Sequence, residues 1–339
     1  MATQIGIGVV GLDHWYTAFG ALKEANENPA TRLVAIADTS GKRLKEVSEK
    51  NKADYTTTNF GAVIADPNVD LICSLSNTRD NVAVCRKALQ AGKHVACVKP
   101  MTMNLRQADA LIELAEAQKK VFWSFDQLGR LGVNPQIKAL LKRGGIGKVM
   151  AYYHVATSGL PRSWPNNTHS GWWIDPSLAP VGAWADHAIY AIDMLRALFD
   201  ADVEVVHAEI ANRVYPKLAV EDFGSATLRF TNGIVAVMQD SWTADGYWPR
   251  WTKIVGTKGA VHMDPALKEG WLVATPKGVE PVPEGKAAGG GMLGAVIKLV
   301  KTGAATPSPA RESRKNLAIA LAVYKSAKTG KFVRVDDTK

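Results

Sequence analysis

An aspartate and a tyrosine in the second half of the chain have the spacing needed to handle a proton together. Asp186 and Tyr190 belong to an apolar helical segment and share one of its faces, with Asp193 one turn further on. A tyrosine hydroxyl has a pKa of about 10, which a neighbouring lysine ammonium lowers toward the range of a proton acceptor. His187 points about 100° away around the helix and is the second candidate base. The spacing suits removal of a proton from an alcohol, with Asp186 orienting the base or binding a hydroxyl.

Lys99 is the lysine that this chemistry calls for. It follows the apolar strand 94–98 and precedes Pro100, so its backbone lies at the carboxyl edge of the predicted sheet, where doubly wound folds bind ligands. Lys99, Asp186 and Tyr190 are therefore the predicted proton-handling set.

A degenerate dinucleotide-binding turn follows the first strand. Gly6, Gly8 and Gly11 match G-x-G-x-x-G literally, but the first two lie inside the strand, whereas the motif needs its first glycine at the turn. In the turn 11–16, Asp13 and Tyr16 replace the second and third glycines. An aspartate suits this place if its carboxylate accepts backbone N–H bonds as a helix cap. The predicted cofactor contacts of the turn are Gly11, Leu12, Asp13, His14 and Trp15.

Asp38 ends the second predicted strand. Its distance along the chain from Gly11 suits a carboxylate that accepts both ribose hydroxyls of NAD and repels the 2′-phosphate of NADP. NAD is therefore the expected cofactor. Lys42 and Arg43 follow closely and keep NADP open as the alternative.

The elements that position these residues alternate between strand and helix over the first 125 residues. The predicted strands are 5–10, 32–37, 69–75, 94–98 and 121–125, and the predicted helices are 17–25, 41–50, 81–91 and 105–118. This alternation predicts βαβ units and a doubly wound parallel sheet, a Rossmann domain over residues 1–125.

Residues 126–339 have a different pattern. The predicted strands are 149–157, 203–213, 225–231, 234–241 and 251–255; the helices are 135–142, 183–198 and 317–328, and 289–291 is a loop. Turns at 231–233 and 256–259 join neighbouring strands as hairpins do. We expect a second, α+β domain over 126–339 with a large open, mostly antiparallel sheet. An exposed apolar sheet face is usually covered, so a homodimer or homotetramer built on that sheet is expected.

The composition argues against several classes of protein. The formal net charge is +9, but the basic residues are spread along the chain, which indicates solvated helix faces rather than nucleic-acid binding. No apolar run is long enough to cross a bilayer, and no secretory signal is visible, so a cytoplasmic protein is expected. Cys73, Cys85 and Cys97 have neither disulfide nor metal-ligand spacing, and no metal site is predicted.

Several segments resemble the Gfo/Idh/MocA family of oxidoreductases. Residues 91–100 are similar to its A-G-K-H-V-x-x-E-K-P segment, with Val98 in place of the glutamate. The helix 182–198 resembles its D-x-x-x-H-x-x-D helix, with tyrosine at position 190 in place of the histidine. Further landmarks follow in the family's order at 145–149, 256–259 and 322–326, so the resemblance covers essentially the whole chain.

The resemblance implies a two-domain NAD(P)-dependent enzyme that acts on a sugar, a polyol or a related ring alcohol. Tyrosine serves in place of the histidine in some branches of the family, including the glucose–fructose oxidoreductase branch. The family's T-P-x-x-x-H segment reads as 76–81 here and departs from that pattern. The implied further cofactor contacts are Ser76, Asn77, Asn81, Lys99 and Pro100.

Aromatic residues dominate the region in which the substrate is expected. Six of the ten tryptophans lie between Trp164 and Trp248, where their rings can stack on sugar C–H faces or form a core or a subunit interface. The predicted substrate contacts are Gln127, Arg130, Tyr153, Arg162, Trp164, Trp172 and Trp173.

Two alternatives keep the fold and change the function. The first is glycoside cleavage with bound NAD, in which a hydroxyl is oxidised transiently, the acidified carbon allows elimination, and the product is then reduced. The second is a non-catalytic ligand-binding protein, which the altered glycine turn and Val98 would favour.

Overall fold

The computed structural model describes residues 4–244, 250–264, 270–283 and 291–338. The chain divides into two compact units. Unit 1 comprises Met1–Gln127, Arg162–Pro180 and Gly289–Lys315, and unit 2 comprises Leu128–Pro161, Val181–Ala288 and Asn316–Lys339. The division near residue 127 lies close to the expected domain boundary, but two later segments belong with the N-terminal unit. Residue contacts rather than chain order decide this, because a segment joins the unit against which it packs.

Unit 1 contains a six-stranded sheet in the order β3-β2-β1-β4-β5-β6, and every neighbouring pair is parallel. Its strands are β1 (Ile5–Val10), β2 (Thr31–Ala37), β3 (Tyr55–Thr57), β4 (Leu71–Ser74), β5 (His94–Cys97) and β6 (Phe122–Ser124). The helices between them are α1 (Trp15–Glu27), α2 (Gly41–Ser48), α3 (Phe60–Ala65), α4 (Thr78–Gln90) and α5 (Leu105–Ala117). This confirms the predicted Rossmann-type sheet.

Central strands of unit 1 are buried on both faces. β1 and β4 are buried along their whole length, as expected for a parallel sheet covered by helices. The three cysteines are free and buried, which agrees with their interpretation as small apolar side chains. β3 and α3 were not predicted, because β3 has only three residues and none of them is buried.

Unit 2 contains a nine-stranded sheet in the order β14-β13-β12-β11-β7-β10-β9-β8-β15. Its strands are β7 (Val149–Thr157), β8 (Val203–Ala211), β9 (Phe223–Phe230), β10 (Val235–Ser241), β11 (Arg250–Gly256), β12 (Gly259–Met263), β13 (Trp271–Thr275), β14 (Gly278–Pro281) and β15 (Val333–Arg334). β7 and β10 pair in parallel, and the other neighbours are antiparallel. The predicted hairpins β9–β10 and β11–β12 are both present, and the mostly antiparallel sheet is confirmed.

Helices of unit 2 pack on one face of this sheet. They include α7 (Pro135–Lys142) and α8 (Ala183–Phe199), whereas α6 (Leu128–Leu131) packs against α8. α8 packs its apolar residues, including Trp184, Ile192 and Leu195, against inward-facing strand residues such as Tyr152. The core of unit 2 therefore lies between α8 and the sheet.

Two helices complete the fold. α9 (Gly294–Thr302) belongs to unit 1, and α10 (Ala310–Thr329) begins seven residues earlier than predicted. Of the predicted loop 289–291, residues 289 and 290 lie outside the described residues. Among the described helices, none combines the length and apolarity that a bilayer crossing needs.

Candidate active site

Gly11 forms the sharp turn between β1 and α1. Its φ is +84°, and a Cβ at this position would lie 2.3 Å from the Ser76 Oγ, so only glycine fits. By contrast, Gly6 lies inside β1, where a Cβ would meet the Asn68 carbonyl oxygen at 1.8 Å. The structure therefore confirms that the turn begins at Gly11 and that Gly6 serves close packing.

Asp13, which replaces a glycine of the motif, has its carboxylate engaged by the protein. Its Oδ2 accepts hydrogen bonds from the backbone and side-chain nitrogens of Asn77 at 2.9 and 3.1 Å, and its Oδ1 pairs with the Arg43 guanidinium at 3.0 Å. The carboxylate thus holds the segment before α4 rather than capping α1, and Arg43 offsets its charge. These contacts remove the electrostatic difficulty of an aspartate beside a pyrophosphate.

Asp38 lies at the end of β2 and is 2% exposed. Its carboxylate accepts hydrogen bonds from the backbone nitrogens of Leu12 and Ser40, both at 2.8 Å, and the Arg43 Nε lies 3.6 Å away. Burial raises the pKa of Asp38, against the opposing effect of Arg43. The residue ties the glycine turn to β2, and Arg43 links it to Asp13, a role that the sequence did not reveal.

The turn and its surroundings fit a dinucleotide. Among the described residues, no side chain caps the first turn of α1, whereas Ser40 and Asn77 cap α2 and α4. Uncapped amides at a helix N-terminus bind phosphate. The Ser76 Oγ beside Gly11 is buried and has no hydrogen-bond partner among the described residues, so a ligand with polar atoms would complete its bonding.

Three predicted cofactor contacts that follow β4 and β5 are buried, namely Asn77, Asn81 and Lys99. Lys99 is 3% exposed and precedes Pro100 through a cis peptide bond. Asn77 caps α4 by accepting from the Asp80 backbone nitrogen at 3.0 Å. Asn81 is fully buried, its Oδ1 accepting from Ser74 and its Nδ2 donating to the Met101 carbonyl. That burial argues against the cofactor contact predicted for Asn81.

In unit 2, Glu221 fixes the beginning of α8. Its carboxylate accepts from the backbone nitrogens of Gly182 and Trp184 at 2.9 and 3.2 Å, and from the Tyr324 hydroxyl at 2.6 Å. Burial raises the pKa of Glu221, and burial together with this carboxylate raises that of Tyr324. Glu221 acts as a cap supplied from another part of the chain, so it could not be found from local sequence.

Asp186 lies in the first turns of α8 beside an imidazole and an indole. Its Oδ2 is 3.3 Å from the His187 Nε2 and accepts a hydrogen bond from the Trp242 Nε1 at 3.3 Å. Asp186 is 9% exposed, and His187 and Tyr190 are both partly buried. Adjacent side chains on a helix point about 100° apart, but the His187 ring still reaches the Asp186 carboxylate. The pair can therefore orient and stabilise a protonated imidazole.

Asp193 shares this helix but is fully engaged by the protein. It accepts from the backbone nitrogen and guanidinium of Arg130, with contacts between 2.6 and 3.1 Å, and from the Asn316 Nδ2 at 2.8 Å. Arg130 was predicted to bind substrate, and here it joins α6 to α8. In unit 1, Gln127 donates to the Pro309 carbonyl and the Ser313 hydroxyl. These contacts argue against a substrate role for Arg130 and Gln127.

Side chains alternate along β7, and this places Tyr153 away from α8. Tyr153 is 40% exposed, whereas Tyr152 faces the core beneath α8. The substrate contact predicted for Tyr153 therefore has no support in unit 2. The same alternation puts His154 on the inner face, where its Nε2 lies 3.7 Å from the fully buried Asp240. Sequence reasoning missed this polar pair, although the period of two in β7 could have indicated it.

The remaining predicted substrate residues belong to unit 1. Arg162, Trp164, Trp172 and Trp173 lie in the segment Arg162–Pro180, which we call the strap. The Trp172 Nε1 donates to the Asp13 carbonyl, and the Trp164 Nε1 donates to Glu46 of α2. The strap therefore contacts α2 and the glycine turn of its own unit. Trp248 lies outside the described residues.

Comparison with known proteins gives the family. Residues 5–125 match the model described as an oxidoreductase family with an NAD-binding Rossmann fold, and residues 135–262 match the GFO/IDH/MocA C-terminal domain. The chain belongs to the GFO/IDH/MocA oxidoreductase family. Its N-terminal unit is an NAD-binding Rossmann domain, as the glycine turn and Asp38 predicted.

Two curated relatives and one solved structure illustrate the similarity. The myo-inositol 2-dehydrogenase of Thermotoga maritima is 30% identical over 76% of this chain and 75% of its own length. The 1,5-anhydro-D-fructose reductase of Ensifer adhaerens is 25% identical over 90% and 91% of the two chains. A levoglucosan dehydrogenase solved in complex with NADH is 20% identical, with a TM-score of 0.81 over 98% of this chain and 99% of its own. At that identity, the solved structure supports the fold alone.

Proposed function

We propose that this oxidoreductase transfers a hydride between NAD and a ring hydroxyl, or the matching ketone, of a sugar, polyol or related cyclic alcohol. The observation that carries the proposal is the arrangement of Asp186, His187 and Trp242. The oxidation of an alcohol needs a hydride acceptor and a group that takes the hydroxyl proton. The imidazole beside the buried Asp186 carboxylate can take that proton. Bound NAD supplies the hydride acceptor.

The substrate class rests on the names of the relatives. The two curated relatives reported above are named for inositol and an anhydro-fructose, which are both polyhydroxylated rings. The buried His154–Asp240 pair provides additional polar groups on the inner face of the unit 2 sheet. We therefore place this chain's substrate in the same chemical class.

The proton-handling set that we propose is Lys99, Asp186 and Tyr190, with His187 as the alternative base. In the first assignment, the Tyr190 hydroxyl accepts the substrate proton. In the second, the His187 imidazole accepts it while Asp186 stabilises the imidazolium. The contact between His187 and Asp186 favours the second assignment more than the sequence did.

Four variants test the function and separate the two bases. Purified protein with NAD is screened against inositols, anhydro-sugars and aldoses, and turnover is then measured for Lys99→Met, Tyr190→Phe, His187→Gln and, as control, Tyr215→Phe. We expect at least a tenfold loss for Lys99→Met and for the true base, with unchanged thermal unfolding. Normal turnover in Lys99→Met, Tyr190→Phe and His187→Gln alike would refute the proton-handling set.

We also propose that a second copy of the chain covers the outer face of the unit 2 sheet. Tyr153 and Val237 are directly opposite each other on β7 and β10, and Trp251 lies on the neighbouring strand; they are 40%, 38% and 38% exposed. Apolar exposure of this kind on a sheet is usually covered. Light scattering at micromolar concentration should give a dimer or tetramer, and Val237→Lys should shift it toward monomer. A wild-type monomer would contradict the proposal.

A further inference from the structure

The strap meets unit 1 first at α1 and α2. The Trp15 Nε1 donates to the Arg162 carbonyl at 2.8 Å, and the Trp164 Nε1 donates to the Glu46 carboxylate at 2.7 Å. The Trp164 ring also packs edge-on against Phe19, with centroids 5.4 Å apart. The Arg43 guanidinium lies 5.5 Å from the centre of the Trp164 ring, a cation–π distance. This end of the strap therefore lies beside the side chain that links Asp13 and Asp38.

The middle of the strap covers the glycine turn. The Trp172 Nε1 donates to the Asp13 carbonyl at 3.2 Å, and the two indoles of Trp172 and Trp173 stack with centroids 4.0 Å apart. Trp173 also stacks on Tyr16 at 5.8 Å and contacts His14 edge-on at 4.7 Å. His14 is 1% exposed as a result of this packing. The aromatic layer thus lies directly over the turn that begins at Gly11.

The far end of the strap reaches α4. The Arg79 backbone nitrogen, in the first turn of α4, donates to the Leu178 carbonyl at 3.1 Å. The strap therefore contacts α2, the loop after β1 and the first turn of α4, three segments that follow the carboxyl ends of β2, β1 and β4. In a doubly wound sheet the dinucleotide lies across these carboxyl ends, so the strap and the cofactor share one crevice of unit 1.

A second observation at this place also indicates a ligand. The Trp173 Nε1 is buried and has no acceptor among the described residues, and the Trp173 side chain is 4% exposed. A buried donor without an acceptor is unfavourable. A ligand rich in acceptor oxygens, as a dinucleotide is, would relieve this cost.

We propose that the strap is a clasp for NAD, which enters and leaves unit 1 only when the strap detaches from Asp13 and Glu46. The rate of cofactor exchange is then set by the hydrogen bonds of the strap. The proposal goes beyond the proposed reaction and depends only on NAD binding, which the family establishes. It also assigns Trp164 and Trp172 to cofactor retention rather than to the sugar.

The experiment measures NADH release in the absence of any sugar. Protein loaded with NADH is mixed with excess NAD in a stopped-flow instrument, and the fall in NADH fluorescence gives the dissociation rate. Glu46→Ala and Trp164→Phe each remove the same hydrogen bond, so each should speed release about fivefold, and the double variant no more than either alone. Trp172→Phe removes a separate bond, and its combination with Glu46→Ala should multiply the two effects. Trp271→Phe, in unit 2, is the matched control and should release NADH at the wild-type rate.

The NADH release rates test the clasp whether or not a sugar substrate is found. Faster release in the strap variants, with wild-type release in Trp271→Phe, supports the clasp. An unchanged release rate in both Glu46→Ala and Trp172→Phe, or a change confined to the association rate, overturns it. Circular dichroism and thermal unfolding establish that each variant is folded. Failure of the polyol screen alone leaves these rates measurable, so the two proposals fail separately.

Discussion

The carboxylates near the glycine turn of unit 1 and those on α8 of unit 2 are held in different ways. Asp13 and Asp38 each have both oxygens engaged by backbone amides or by Arg43. Asp186 instead contacts an imidazole and an indole, while Asp193, two turns further along α8, is bound by Arg130 and Asn316. Amide and guanidinium donors fix a carboxylate as a structural element. A carboxylate beside an imidazole has a partner that exchanges protons.

Replacing Asp186 should give the largest effect on turnover. In Asp186→Asn the Trp242 indole retains an acceptor, so the fold should persist, whereas the charge that stabilises a protonated base is lost. Turnover should fall by about 10² or more, the amount typical of removing acid–base assistance, with the thermal midpoint nearly unchanged. Steady-state rates and a melting curve measure both. Turnover within threefold of wild type would show that Asp186, like Asp193, is not needed for proton transfer.

Replacing Asp193 should produce the opposite result. Asp193 is fully buried, so Asp193→Asn leaves the Arg130 guanidinium without its counter-charge and should lower the free energy of unfolding by about 3 kcal/mol. Urea unfolding measures this loss, and turnover per folded molecule should stay within about threefold. A stable Asp193→Asn variant without turnover would place Asp193 in the chemistry instead.

Asp38 should give the smallest effect, visible as a dependence on pH. Burial raises the pKa of Asp38, so the folded state favours its neutral form. Its contribution to stability is then present below the unfolded pKa of 3.8 and is lost as pH rises through the higher folded pKa. Asp38→Asn, which cannot ionise, should show a flatter stability curve as pH rises above about 4. Parallel curves for the two proteins would show that burial does not control this carboxylate.

The fold was largely predictable because apolar residues recur about every 3.6 residues in a helix and about every two residues in a strand. The helix 135–142 and the strand 149–157 were predicted at their observed ends. β3 and α3 were missed because they are short and weakly patterned. The early start of α10 was missed because its first turns carry charged residues.

The site was predictable only in part. The types and spacing of Asp186, His187 and Tyr190 indicated the helix to which we assign the proton chemistry, and Gly11 indicated the turn between β1 and α1. Partners that are distant in the chain were not predictable: Glu221 at the start of α8, Arg43 between two aspartates, and Arg130 on Asp193. Each depends on two segments meeting, which no local pattern encodes.

Local sequence by itself determined which elements form, where the chain turns at Gly11, and that a buried lysine follows β5, because backbone conformation and apolar periodicity act over a few residues. Only the tertiary structure decided which polar groups are hydrogen-bonded within the protein and which lie beside a titratable side chain. It also decided that the tryptophans of the strap pack on the nucleotide-binding unit, although β7 and α8 of unit 2 flank them in sequence. The physical reason is that hydrogen bonds and ring contacts depend on distance in space, and folding brings Trp172 within 3.2 Å of a carbonyl 159 residues away.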